Sequence, residues 1–251
     1  MAEFIYKPQV SLLAYPKFEE PAHLGVNWFG EATDAEKLCE FAGRLCYMSQ
    51  ANPANRTTQE YLENILIQRH GSVFEHAVFV LLLEGISRSC THELVRHRVG
   101  FGYSQLSQRY VDESDTAFVI PPAIINNSML LEEFKRNCDI VVGTYKSLSN
   151  QLYAQYSGIE DKILRRKTAR EAARCVLSNS TETKIVVSAN ARAWRSMLEL
   201  RSSEHAEREI RRLAVDIIRL LKNTSPIIFG DFEIYQDNAG IELAKIKYSK
   251  V

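Results

Sequence analysis

Between Ser87 and Arg109 the chain places four arginines (Arg88, Arg96, Arg98 and Arg109), two histidines (His92 and His97), one acid (Glu93) and no lysine. A solvated helix face usually mixes lysine with glutamate. Arginine without lysine suits a site where planar guanidinium groups grip phosphate through paired hydrogen bonds. The adjoining Ser104-Gln105-Leu106-Ser107-Gln108 adds hydroxyl and amide groups that can read a base or a ribose. Such a set can hold a nucleotide without a phosphate-binding loop, and the chain contains neither G-x-G-x-x-G nor G-x-x-x-x-G-K-[ST]. Taken singly, Arg96 and Arg98 have a plainer reading, in which they pair with carboxylates and complement the negative end of a helix, with His97 a structural histidine. Ser107 invites a nucleophilic role, but no base that would activate it is identifiable, so it reads as a hydrogen-bonding ligand.

These residues sit in a chain of 251 residues with 31 Lys+Arg against 31 Asp+Glu and 45% hydrophobic content. That is enough to bury a sizeable core, and without repeats, linkers or charge blocks it predicts a single domain over residues 1–251. Zero formal net charge provides no field to attract a polyanion, which disfavours a nucleic-acid-binding module. No apolar stretch approaches the roughly 18 residues of a membrane span and no leader pattern opens the chain, so no membrane partner and a cytoplasmic location are expected. Five cysteines (Cys39, Cys46, Cys90, Cys138 and Cys175), without zinc-site spacing, read as small core residues and leave no metal site.

The elements that must position the arginines follow from caps and periodicity. Thr33 with Glu36 and Thr57 with Glu60 have capping-box spacing and predict two helices. Val73–Glu84 is rich in β-branched and aromatic residues and reads as a strand, followed by a short helix on Ile86, Cys90 and Leu94 that Gly100 and Gly102 end. A long helix is expected over about 128–156, with Leu130, Phe134, Leu148, Leu152 and Tyr156 on its apolar face, and another over about 161–177. Thr183, Ile185, Val187 and Ala189 alternate as a strand, after which Asn190 can cap a helix whose Trp194, Met197 and Leu198 are core. A last helix spans about 204–221. Helices outnumber strands and do not alternate with them, so the fold class is α+β, helix-rich with an antiparallel sheet.

The string from Arg96 to Tyr110, Arg-His-Arg-Val-Gly-Phe-Gly-Tyr-Ser-Gln-Leu-Ser-Gln-Arg-Tyr, resembles the signature of flavin-dependent thymidylate synthases, R-H-R followed by a spacer and S-x-R. Eight residues, Val99 to Leu106, fill the spacer; the commonest form has seven, and versions one longer occur. Other segments resemble the same family in the same order. His70-Gly71-Ser72-Val73-Phe74-Glu75-His76 lies upstream; the plainer reading of His70 and Glu75 is a surface turn and a cross-strand ion pair. Asn190 to Arg201 lies downstream, followed by His205-Ala206-Glu207-Arg208-Glu209-Ile210-Arg211. On a helix Asn190 and Arg201 fall within about 20° of each other, and Arg192 and Ser196 lie one turn apart. The family often has an amide or imidazole where this chain has Ser196.

The resemblance implies reductive methylation of dUMP to dTMP, with FAD as cofactor, NADPH as reductant and 5,10-methylenetetrahydrofolate as carbon donor. It implies that Ser72, Arg96, His97, Arg98, Gln105, Asn190, Arg192 and Ser196 hold FAD, and that Glu93, Arg96, Gln105, Ser107, Arg109, Arg174 and Arg201 hold dUMP. Arg201 is the catalytic expectation, since a fixed guanidinium favours ionisation of the uracil ring nitrogen. The family's shared active sites imply a homotetramer. A flavoprotein that has lost methyl transfer is the rival reading, in which Arg201 would be dispensable.

Overall fold

The computed structural model describes residues 2–250. In chain order the elements are β1 (Glu3–Ile5), β2 (Gln9–Ala14), α1 (Asp34–Leu45), α2 (Thr58–Ile67), β3 (Val78–Ser87), α3 (Arg88–Leu94), β4 (Phe101–Gln105), β5 (Ala117–Val119), α4 (Ser128–Gln155), α5 (Lys162–Ala173), β6 (Glu182–Asn190), α6 (Ala191–Arg201), α7 (Arg208–Thr224), α8 (Pro226–Phe229), β7 (Phe232–Gln236) and β8 (Glu242–Ile246). The class is α+β, as expected. Strand order in the four-stranded sheet is β2-β3-β6-β4; β7 and β8 form an antiparallel hairpin, and β1 pairs parallel with β5. The chain forms two compact units.

The first unit comprises the residues up to Gln9, Leu83–Leu94 and Ser104–Ile185. Its β1–β5 ladder sets Phe4 opposite Phe118, which is fully buried. The main helical feature is α4 packed along α5. Asn127 caps α4 by accepting from Leu130 N at 3.2 Å, and Asp161 caps α5 by accepting from Ile163 N at 2.8 Å. The 28 residues of α4 match the predicted helix, and its buried residues, Cys138 and Tyr145, lie on the predicted apolar face, but that face is only partly covered within the unit. Leu130 is exposed and Phe134, Leu148, Leu152 and Tyr156 are half-buried, because α4 lies on the surface of its unit, and Met129 and Ile140 are exposed too. The helix expected to run to residue 177 stops at Ala173, where the chain tightens into a 3₁₀ turn over Arg174–Val176.

The second unit comprises Val10–Leu82, Val95–Tyr103 and the residues from Val186 onward. Both predicted capping boxes open their helices, Thr33 and Glu36 on α1 and Thr57 and Glu60 on α2. Trp194, Met197 and Leu198 of α6 are buried as expected, together with Ile210, Leu213, Ile217, Ile218 and Leu221 along one face of α7. Arg195, 1% exposed, donates twice to Asp231 at 2.6 and 2.9 Å and once each to the carbonyls of Ile228 and Tyr248. This buried pair ties the β7–β8 end of the chain to α6, and removing one partner of such a pair costs about 3–5 kcal/mol.

Several boundaries differ from the sequence reading for local reasons. The strand placed over Val73–Glu84 begins only at Val78, since Gly71–Glu75 coil into a 3₁₀ turn. Ile86 belongs to β3 and the short helix starts at Arg88, where Ser87 Oγ accepts from Cys90 N at 3.0 Å. The helix expected from residue 204 begins at Arg208, because the Glu207 carboxylate accepts from Glu209 N and Ile210 N and caps it there. Cys39, Cys90 and Cys138 are buried as expected, whereas Cys46 and Cys175 are exposed at helix ends, where no apolar layer covers them.

Candidate active site

The end of β6 passes directly into α6, and Asn190 caps that helix by accepting from Ala193 N at 2.8 Å. The loop carrying Arg98 lies flush against this junction. Gly100 has φ +77°, and a Cβ there would sit 2.9 Å from Ala193 Cβ and 3.0 Å from Asn190 Nδ2. Glycine satisfies both the left-handed backbone and the close approach. A cleft of about 710 Å³ opens here, lined by His97, Arg98 and Gly100 from the loop and by Asn190, Arg192 and Ser196 from α6. Its volume falls within the usual range for cofactor sites of roughly 300–1,000 Å³. Two guanidinium groups beside the N-terminus of an 11-residue helix make it a place for an anion such as a pyrophosphate. That chemistry fits a dinucleotide such as FAD.

The structure thus brings together five of the eight predicted cofactor residues in one cleft. Arg98 and Arg192 are both exposed, and Arg192 pairs with Glu75 at 2.6 Å, an ion pair between helix α6 and the 3₁₀ turn rather than the cross-strand pair expected at Glu75, because Glu75 is not on a strand. Ser72 and Arg96 are exposed elsewhere in the unit and do not line the cleft. Lys250 and Glu199 do line it; the Glu199 carboxylate accepts from Ser249 Oγ and, at 3.2 Å, from Lys250 N. Sequence reading missed Lys250 because the end of the chain carries no periodic or motif signal, and passed over Glu199 although it lies within the segment from Asn190 to Arg201.

Arg201 does not line the cleft but reaches one of its walls, since its Nε donates to His97 Nε2 at 2.9 Å. Burial, and secondarily the Arg201 charge, push the His97 pKa down from 6.5 to about 4, so the ring is neutral and acts as an acceptor. Tyr103 Oη donates to the His97 carbonyl at 2.6 Å, and burial pushes the Tyr103 phenol up to about 12. Phe101 stacks on Tyr103 and meets Trp194 edge-on.

The first unit holds Glu93, Gln105, Ser107, Arg109 and Arg174. Gln105 Nε2 donates to the hydroxyls of Thr91 and Thr183 at 3.1 and 3.3 Å, and both threonines are buried, which fixes the amide. Ser107 Oγ accepts from Arg109 N at 3.4 Å. Arg109 grips Glu171 through Nε at 2.8 Å and Nη2 at 2.7 Å, while Arg174 is exposed and Glu93 half-buried. Arg88, the fourth arginine of the sequence cluster, donates from Nη2 to the Leu106 carbonyl at 2.7 Å and so holds the backbone next to Ser107. Its pKa is lowered first by burial, while Glu113 raises it and Arg174 lowers it further. A second cleft in the other unit, about 790 Å³, contains none of the predicted residues, and its Glu36 and Glu63 carboxylates are hydrogen-bonded within the protein.

A family model described as thymidylate synthase complementing protein matches residues 30–227. Proteins named flavin-dependent thymidylate synthase are similar over nearly the whole chain. The one from Mycobacterium marinum is 46% identical over 238 residues, covering 94% of both chains, and the one from Mycobacteroides abscessus is 44% identical over 246 residues, covering 97% of both. Among solved structures, a UMP/dUMP methylase from Streptomyces cacaoi bound with 5-Br dUMP has the same fold, at 21% identity and a TM-score of 0.65 over 91% of this chain and 95% of that one. The arginine-rich loop, the capped helix α6 and Arg201 all fall inside the matched residues, and the chain belongs to the thymidylate synthase complementing protein family, that of the flavin-dependent thymidylate synthases.

Proposed function

We propose that this protein is a flavin-dependent thymidylate synthase that methylates dUMP reductively to dTMP. The single observation that carries the residue assignments is the junction of β6 and α6, where Arg98, Asn190, Arg192 and Ser196 share a cleft whose His97 is bonded to Arg201. FAD supplies the hydride that side chains cannot, with NADPH as its reductant and 5,10-methylenetetrahydrofolate as the carbon donor. In this reading Arg98 and Arg192 bind the cofactor phosphates, Asn190 and Ser196 orient its polar atoms, and Ser72, Arg96, His97 and Gln105 complete the set.

Arg96, Arg109 and Arg174 hold the phosphate and ribose of dUMP, with Glu93, Gln105 and Ser107 reading the remainder. Arg201 stabilises the anion formed when the uracil ring nitrogen loses its proton, which makes carbon five nucleophilic. It acts electrostatically and keeps its own proton. Ser107 is a hydrogen-bond partner, consistent with its hydroxyl accepting from a backbone N–H. The whole chain works as one catalytic domain, in the cytoplasm; no described helix is long and apolar enough to cross a membrane. Four copies share their active sites, a state favoured by the apolar side chains that α4 leaves exposed.

The test is dTMP formation from dUMP, methylenetetrahydrofolate and NADPH, with and without added FAD, read by chromatography and mass spectrometry. FAD-dependent dTMP is expected, and Arg201→Ala should lower its rate by about 10²–10³, the usual cost of one preorganised donor to a developing anion. Protein that binds flavin but forms no dTMP would overturn the synthase reading.

A further inference from the structure

Arg201 is the last residue of α6, half-buried, at the end of a side chain with four torsions to settle. A guanidinium stabilises an anion only if its plane is held where the charge develops. The hydrogen bond from Arg201 Nε to His97 Nε2, at 2.9 Å, lies in that plane and restricts its rotation.

His97 is itself held from several sides. Its carbonyl accepts from Tyr103 Oη at 2.6 Å, and its ring lies 6.1 Å from that of Phe101. Phe101 stacks at 5.7 Å on Tyr103 and packs at 5.3 Å against the edge of the fully buried Trp194. Trp194 precedes Arg201 by seven residues, so both lie within about 20° on the same face of α6. The helix that carries the arginine therefore also seats the aromatic cluster that seats the histidine.

From this geometry we propose that His97 is a positioning residue, whose Nε2 accepts from Arg201 and orients its guanidinium toward the uracil ring. The proposal rests on the reading of Arg201 as the anion-stabilising group, and assigns His97 a role in addition to the flavin contact proposed above. An acceptor at Nε2 places the ring proton on Nδ1, in keeping with the neutral state that burial and the neighbouring charge impose.

The test compares His97→Leu, which removes the acceptor, with His97→Gln, whose amide oxygen can occupy the position of Nε2. His97→Leu is expected to lower kcat at saturating dUMP and FAD by about 10–100-fold, the scale of a misplaced catalytic group. FAD affinity, followed by flavin fluorescence, sets the saturating concentration for each variant, and His97→Gln should recover most of the rate. Calorimetric dUMP affinities for wild type, His97→Leu, Arg201→Ala and the double variant complete a cycle in which His97→Leu weakens binding only when Arg201 is present. The proposal is overturned if saturating FAD restores the rate of His97→Leu, or if that change costs as much affinity in the Arg201→Ala background as in wild type. Should His97→Leu not fold, His97→Asn, whose shorter amide stops short of Arg201, takes its place. Arg201→Ala protein that still forms dTMP would sink the reading of Arg201, while the affinity cycle would still decide whether His97 works through it.

Discussion

Burial and the adjacent guanidinium both disfavour the imidazolium of His97, which carries its pKa from 6.5 down to about 4. Between those values the unfolded chain takes up a proton that the native state refuses. The sign follows directly: stability linked to His97 is complete above about pH 6.5 and is lost as pH falls toward about 4, below which the loss stops growing. Thermal unfolding followed over this window should show the wild-type midpoint dropping more steeply than that of His97→Gln. Parallel curves would mean that another group titrates. The same neighbourhood explains why Arg201 was recognisable in sequence only by resemblance: its partner lies 104 residues earlier, beyond the reach of any helical spacing.

At the scale of elements, the site depends on a strand running straight into a capped helix. Asn190 spends its side-chain oxygen on Ala193 N, so the helix start is ordered before any ligand arrives. Against it lies a loop that can approach only because residue 100 is glycine. Gly100→Ala would impose a strained left-handed backbone and a 2.9 Å contact with Ala193 Cβ. It is expected to cost about 1–2 kcal/mol of stability and to weaken flavin binding at temperatures where the protein remains folded. Thermal melts paired with flavin titration check this, and unchanged flavin affinity would show that binding does not require the loop to lie so close. The one-residue-longer spacer, Val99 to Leu106, is here seen to contain the Gly100 turn and β4, with Phe101 and Tyr103 turned into the aromatic cluster and Val99 exposed.

At the scale of the whole molecule, the exposed apolar side chains of α4 bear on assembly. A 28-residue helix with two fully buried residues leaves part of its apolar surface uncovered in its own unit. Burial between copies would supply what is missing, and light scattering is expected to give about four times the 28.7 kDa chain mass. Ile140, 61% exposed, offers a gentle probe: Ile140→Glu should shift the population toward smaller species while leaving the far-ultraviolet dichroism unchanged. An unaltered mass for this variant would place the interface elsewhere.

Local chemistry in the chain determined what depends on neighbours in sequence. The capping boxes at Thr33 and Thr57, the cap at Asn190 and the long α4 follow from short-range hydrogen bonding and periodicity. The Arg-His-Arg string was legible because its composition departs from that of an ordinary solvated face. Tertiary structure decided what depends on distant partners. Val73–Glu75 read as strand by composition yet coil into a 3₁₀ turn, because β-propensity expresses packing against neighbours that the sequence does not name. Short strands such as β4 and β7, the burial of Arg195 against Asp231 and the exposure of α4 were invisible for the same reason. So was the bond between His97 and Arg201, for a side chain's type can be read one residue at a time, whereas its orientation is set by whatever the fold brings against it.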